Sequence, residues 1–169
     1  MTTSAWTMMT VAALGSVVLS GCPQPDPPPD EPCATADDPV LMLANRGGES
    51  ELAASEEVEV FPPPQGGVFT ELDLTIENLG ASQLDELRIT VDDAATGDSL
   101  AVVRYFGEFL PLRCTEDEQQ VIDNLPVGFA DALRLDDLDG VAAVLTGTMF
   151  TSRGEFETRY DVVLRVTDY

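Results

Sequence analysis

Across residues 155–167 the side chains alternate without a break. Phe156, Thr158, Tyr160, Val162, Leu164 and Val166 occupy one set of positions, and Glu155, Glu157, Arg159, Asp161, Val163, Arg165 and Thr167 the other. A period of two puts the two sets on opposite faces of a strand, one buried and one wet. The same period runs through 70–77, with Leu72, Leu74 and Ile76 inward, and through 86–92, with Leu87, Ile89 and Val91 inward. One-sided burial is the mark of antiparallel sheets, since parallel strands are usually covered on both faces. Further strands are expected at 40–44, 57–61, 99–106, 119–123 and 141–151. Turn chemistry separates them: PPPQGG at 62–67, AATGD at 94–98 with Gly97 at a left-handed position, and Ser152-Arg153-Gly154. Seven or eight strands within 40–169 predict an all-β sandwich. Segment 129–138 has room for one short turn of helix, and 45–56 reads as a loop, with helix the lesser option.

Charge then narrows the function. The 169 residues carry 31 acidic and 8 basic side chains, a net −23, and the basic ones are all Arg, with no Lys and no His. This length accommodates one or two domains. A field this negative repels phosphate backbones, so no nucleic-acid partner is expected. It also repels anionic lipid headgroups. Without His there is no His-dependent Ser or Cys triad and no HExxH zinc site. Gly47-Gly48 and Gly66-Gly67 have no Lys to complete a phosphate loop. The acidity itself is expected to serve mainly as a solvated coat, with self-repulsion screened within ~8–10 Å by salt.

The N-terminus points to export. No charged side chain occurs in 1–21, and an apolar run from about Met8 to Leu19 is too short for a bilayer span of ~20 residues. It suits the apolar region of a signal peptide. Leu19-Ser20-Gly21-Cys22 resembles a bacterial lipobox. That resemblance implies cleavage before Cys22, diacylglycerol on its sulfur and an acyl chain on its new amino group; no other cofactor is expected. Two or three acyl chains hold a soluble domain stably on a membrane. Pro23, rather than Asp, follows the Cys, which points to the outer membrane. The leader departs from the usual pattern in having no Lys or Arg.

Residues 22–39 form the lipidated Cys and a tether. Positions 23–39, PQPDPPPDEPCATADDP, hold seven Pro and five acidic residues and no apolar period. Such a segment favours an extended polyproline II spacer. With Cys22 lipidated, Cys33 and Cys114 remain. An even remainder in an exported chain predicts one disulfide, which would staple the end of the tether to the domain.

Three stretches in the body, PPPQGGVFTELDLTIEN, RITVDDAATGDSL and LDGVAAVLTGTMFTSRGEFETRYDVVLRV, together resemble the immunoglobulin-like modules of uncharacterised bacterial surface lipoproteins. The resemblance covers most of 60–168. It implies an antiparallel immunoglobulin-like β-sandwich known by its location rather than by an activity. The antibody-type Cys…Trp…Cys core is absent, and the only Trp, Trp6, lies in the leader.

Acidic clusters invite other chemistry. Asp136, Asp137 and Asp139 beside Gly140 are weak candidates for a Ca²⁺ site, but the run lacks the alternation and the final Glu of an EF-hand loop. Asp92, Asp93 and Asp98 form a similar cluster. Both are expected to be acidic turns, with no metal bound. A carboxylate pair for glycoside hydrolysis is arithmetically available, but nothing marks two of the acids. The chain is therefore expected to be a non-enzymatic, lipid-anchored envelope protein. Its partners would be the membrane, through the anchor, and a protein or surface polymer. The alternatives are a Ca²⁺-dependent adhesion or carbohydrate-binding module and, least favoured, a small carboxylate-based hydrolase.

Overall fold

The computed structural model describes residues 33–48, 50–63 and 66–167. The leader 1–21, the lipobox 19–22, tether residues 23–32 and Pro64-Gln65 of the PQGG turn lie outside the described residues. Nine strands follow one another: β1 (Val40–Asn45), β2 (Glu56–Val60), β3 (Phe69–Glu77), β4 (Leu84–Asp93), β5 (Ser99–Phe106), β6 (Arg113–Cys114), β7 (Gln119–Gly128), β8 (Ala142–Thr151) and β9 (Gly154–Val166). Three 3-10 turns lie between them, at Ala81–Gln83, Gly107–Phe109 and Leu135–Asp137. The last falls inside the stretch expected to hold a helical turn.

The strands form two sheets, ordered β1-β3-β7-β6 and β2-β9-β8-β4-β5. The first order is the ABED sheet of an immunoglobulin-like sandwich, and the second contains its CFG sheet. Two expectations change. The described residues hold nine strands instead of seven or eight, because the two-residue β6 carries too little sequence to show a period. One pair is parallel: β2 runs beside β9 from Glu56↔Val162 to Val60↔Val166. After β1 the chain crosses to the other sheet through loop 46–55 without reversing. Its second half therefore runs along the last strand and not against it.

The alternating apolar residues meet between the sheets. Leu41, Leu43, Leu72, Leu74, Ile76, Ile122, Leu125 and Val127 are buried from one side. Val58, Val60, Leu87, Ile89, Val91, Leu145, Met149, Val162 and Leu164 are buried from the other. Each such side chain contributes roughly 1.5–3 kcal/mol by leaving water. Gly147 lies on the inner face of β8, where a Cβ would stand 2.7 Å from Leu41 Cδ2, so the sheets approach closely there.

The alternation in β7 changes phase at a bulge. Leu72 faces Leu125 but Leu74 faces Ile122, so Asp73 opposes two residues, Asp123 and Asn124. Asn124 takes a positive φ of 55°, a conformation that Asn tolerates better than most residues. The Asp73 carboxylate accepts the Asn124 N–H at 2.7 Å and the Gly47 N–H at 2.6 Å. An acid that reads as wet-face decoration thus holds the bulge and the exit of β1.

Candidate functional site

The two ends of the sandwich differ in how the chain reaches them. Residues 33–39 enter at the end formed by the β3–β4, β6–β7 and β8–β9 connections. Cys33 is bonded to Cys114, with Cα atoms 5.9 Å apart across 81 residues of sequence. From there the chain crosses the sheet end to β1. The Asn78 amide donates to the Asp38 carbonyl at 3.1 Å, and the Thr35 hydroxyl donates to Asn78 Oδ1 at 2.9 Å. Arg153, in the β8–β9 turn, holds the segment by its backbone. Its guanidinium donates to the carbonyls of Thr35 (3.2 Å), Ala36 (3.1 Å) and Asn78 (3.0 Å), and to that of Asp37. A planar fork with five donors suits several carbonyls at once. From the sequence, Arg153 is only part of a short connection, and no local signal marks its role. Its partners lie about 75 to 118 residues away.

The opposite end carries loops 62–68, 94–98 and 129–141. Both acidic clusters lie here, and Asp93, Asp137 and Asp139 accept backbone N–H groups. Asp93 Oδ1 accepts the N–H groups of Ala95 (2.7 Å) and Thr96 (3.0 Å). Asp137 Oδ2 accepts the Arg134 N–H at 3.3 Å. Asp139 Oδ1 accepts the Val166 N–H at 3.1 Å and an Arg165 N–H at 3.3 Å. Asp136 sits beside Asp137 in the 3-10 turn. Among the described residues no group of three or more Cys, Asp or Glu is placed to hold a metal ion.

A cleft of about 640 Å³ opens near this end, between the margin of β1 and β3 and that of β2 and β9, over Asn45 and Phe61. Its lining carries three carboxylates, Glu57, Glu59 and Glu71, against two Arg, and both Arg are paired within the chain. Arg46 meets Glu71 at 2.8 Å, and Arg165 meets Glu57 at 2.7 Å. The hydrogen bond to Glu57, with the charges of Glu57 and Asp139, raises the Arg165 pKa further. The cleft therefore offers a polar surface with an excess of carboxylate, in which neither Arg presents an unopposed charge.

Two phenols close the seams between the sheets. Tyr160 of β9 accepts the Leu43 N–H of β1 at 3.2 Å and donates to Glu51 at 2.6 Å. On the other side Tyr105 of β5 donates to the Pro126 carbonyl of β7. Burial pushes the Tyr105 phenol up to about 12. Burial first, then the bond to Glu51, raises Tyr160. An unfolded Tyr ionises near ~10. The neutral phenols therefore contribute stability that is complete below pH ~10 and is lost as pH climbs toward 12. The melting temperature should hold to about pH 10 and then fall, and Tyr105→Phe should flatten part of that fall. If the folded protein titrates all its tyrosines near pH 10 by ultraviolet absorbance, the seams are not as described.

No protein-family model matches the chain. No curated protein matches it either. Among solved structures it is similar to the CooA pilin subunit of enterotoxigenic Escherichia coli, at 13% identity and a TM-score of 0.35, over 75% of this chain and 98% of the pilin. It is also similar to murine CRIg, at 12% identity and a TM-score of 0.38, over 78% of this chain and 99% of that one. Likeness at this level adds nothing to the strand order, which carries the fold by itself. Among the described residues no helix is long and apolar enough to cross a membrane.

Proposed function

We propose that this chain is a non-enzymatic lipoprotein, anchored by acyl chains on Cys22 at the outer membrane, that displays its immunoglobulin-like sandwich as a structural or protein-binding module. The observation that supports it best is the entry of the chain. The Cys33–Cys114 bond and Arg153 bring the N-terminal segment to one end of the sandwich, which leaves the cleft and the far loops directed away from an anchor. Ten tether residues, 23–32, separate Cys22 from that staple. Extended, they would hold the domain up to roughly 30 Å from the bilayer. The net −23 keeps the domain itself off anionic headgroups and nucleic acid, so its partner is a protein or a surface polymer.

Cys22→Ala is expected to move the protein from the membrane pellet to the soluble fraction. An unchanged distribution between the two would remove the anchor from the proposal.

A further inference from the structure

The tether end carries an apolar corner that the anchoring proposal does not use. Phe106, the last residue of β5, is 55% exposed, and Phe109, in the following 3-10 turn, is 77% exposed. Beside them a hollow of about 310 Å³ lies between the first two 3-10 turns, lined by Ala81, Ser82, Leu84 and Phe106 and by two carboxylates, Asp85 and Glu108. Arg104 stands two residues before Phe106 on the same outer face of the sheet. Across the strand pair it faces another cation, Arg88, and its nearest carboxylate, Glu86, is 3.8 Å away.

We propose that this corner is the docking surface for the chain's own proline-rich segment 23–32, seated with prolines 27–29 on the rings of Phe106 and Phe109. Three observations converge. The first is reach. The segment ends at Cys33, which is fixed to Cys114, and Phe109 lies five residues before Cys114. Five residues span at most ~18 Å, and prolines 27–29, four to six residues before Cys33, reach ~12–19 Å from it in polyproline II, a matching distance. The second is chemistry. PQPDPPPDEP holds six prolines, and prolines in a preformed polyproline II helix pack on aromatic rings with little entropy left to lose. The third is charge. Asp85 and Glu108 repel the carboxylates of the segment, so the three consecutive prolines lie over the hollow, and Asp26 or Asp30 on either side reaches Arg104. A bilayer is the poorer occupant, because this end also carries Glu116, Asp117 and Glu118 in the β6–β7 turn. Docked, the segment is a fixed stem, and the domain stands at a set angle on its anchor.

The test uses the chain from residue 22 onward with Cys22→Ser, so the outcome does not depend on lipidation. Proton NMR should show Overhauser contacts between prolines 27–29 and the two rings, with the proline resonances shifted upfield by ring currents. Both signals should vanish in Phe106→Ser/Phe109→Ser. They should vanish equally when prolines 27–29 are replaced by Ser, a change outside the folded core, while the core amide spectrum stays the same. Random-coil proline shifts and no contacts in the unsubstituted chain would overturn the proposal. So would ring signals that change only when phosphatidylethanolamine–phosphatidylglycerol vesicles are added, or only as protein concentration rises. Those two outcomes would assign the corner to the membrane or to a second copy.

Discussion

Reducing the Cys33–Cys114 bond is expected to lower the stability of the domain by about 2–4 kcal/mol, which is on the order of 10 °C in melting temperature for a domain of this size. The bond closes 81 residues, and in the chain-entropy model a loop this long restricts the unfolded ensemble by up to ~4.5 kcal/mol. The native cost of losing it is small by comparison. Arg153 still holds the carbonyls of Thr35, Ala36 and Asn78, and Asn78 still holds Asp38. The effect should therefore appear mainly in the unfolded state. Cys114→Ala and added reductant should give the same shift, and residues 40–167 should keep their spectrum. Thermal melts with and without reductant decide it, and identical curves would mean that the bond does not constrain the chain in solution.

Gly107→Ala is expected to cost about 3 kcal/mol or more. Gly107 opens the 3-10 turn after β5, and a Cβ there would lie 1.8 Å from the backbone oxygen of Leu84 and 2.8 Å from its carbonyl carbon. Backbone cannot swing aside as a side-chain tip can, so the turn and the start of β4 must separate. Gly97→Ala is the natural control. It sits at a φ of +76° in the β4–β5 hairpin with open space around its Cβ position, so only the backbone conformation resists. That change should cost about 1–2 kcal/mol. Urea melts of the two variants should differ in the order stated, and equal costs would refute the close contact.

Gly97 was legible because a left-handed residue in a short acidic turn is a local requirement. Gly107 was not, because what forbids its Cβ is Leu84, more than twenty residues earlier and on another strand. The same division runs through the sheets. Leu72, Leu74 and Ile76, or Leu87, Ile89 and Val91, announce their strands by a period that each segment carries alone. In β7 the expected strand stopped at 123, because the buried phase shifts from Gln120 and Ile122 to Leu125 and Val127. The bulge that absorbs the shift exists only opposite Asp73. The candidate site was legible in part. The disulfide followed from counting cysteines. Arg153, Tyr105 and Tyr160 act on backbone groups about 21 to 118 residues away, and nothing beside them in sequence marks those partners.

The sequence by itself determined eight of the nine described strands, most of their buried faces, the hairpin turns and the cysteine pair, because side-chain period and turn chemistry are properties of short segments. The tertiary structure alone decided that β2 runs parallel to β9, which end of the sandwich residues 33–39 cross, and that Phe106 and Phe109 stand exposed. Those outcomes depend on which segments become neighbours, and that choice is made by the whole core at once.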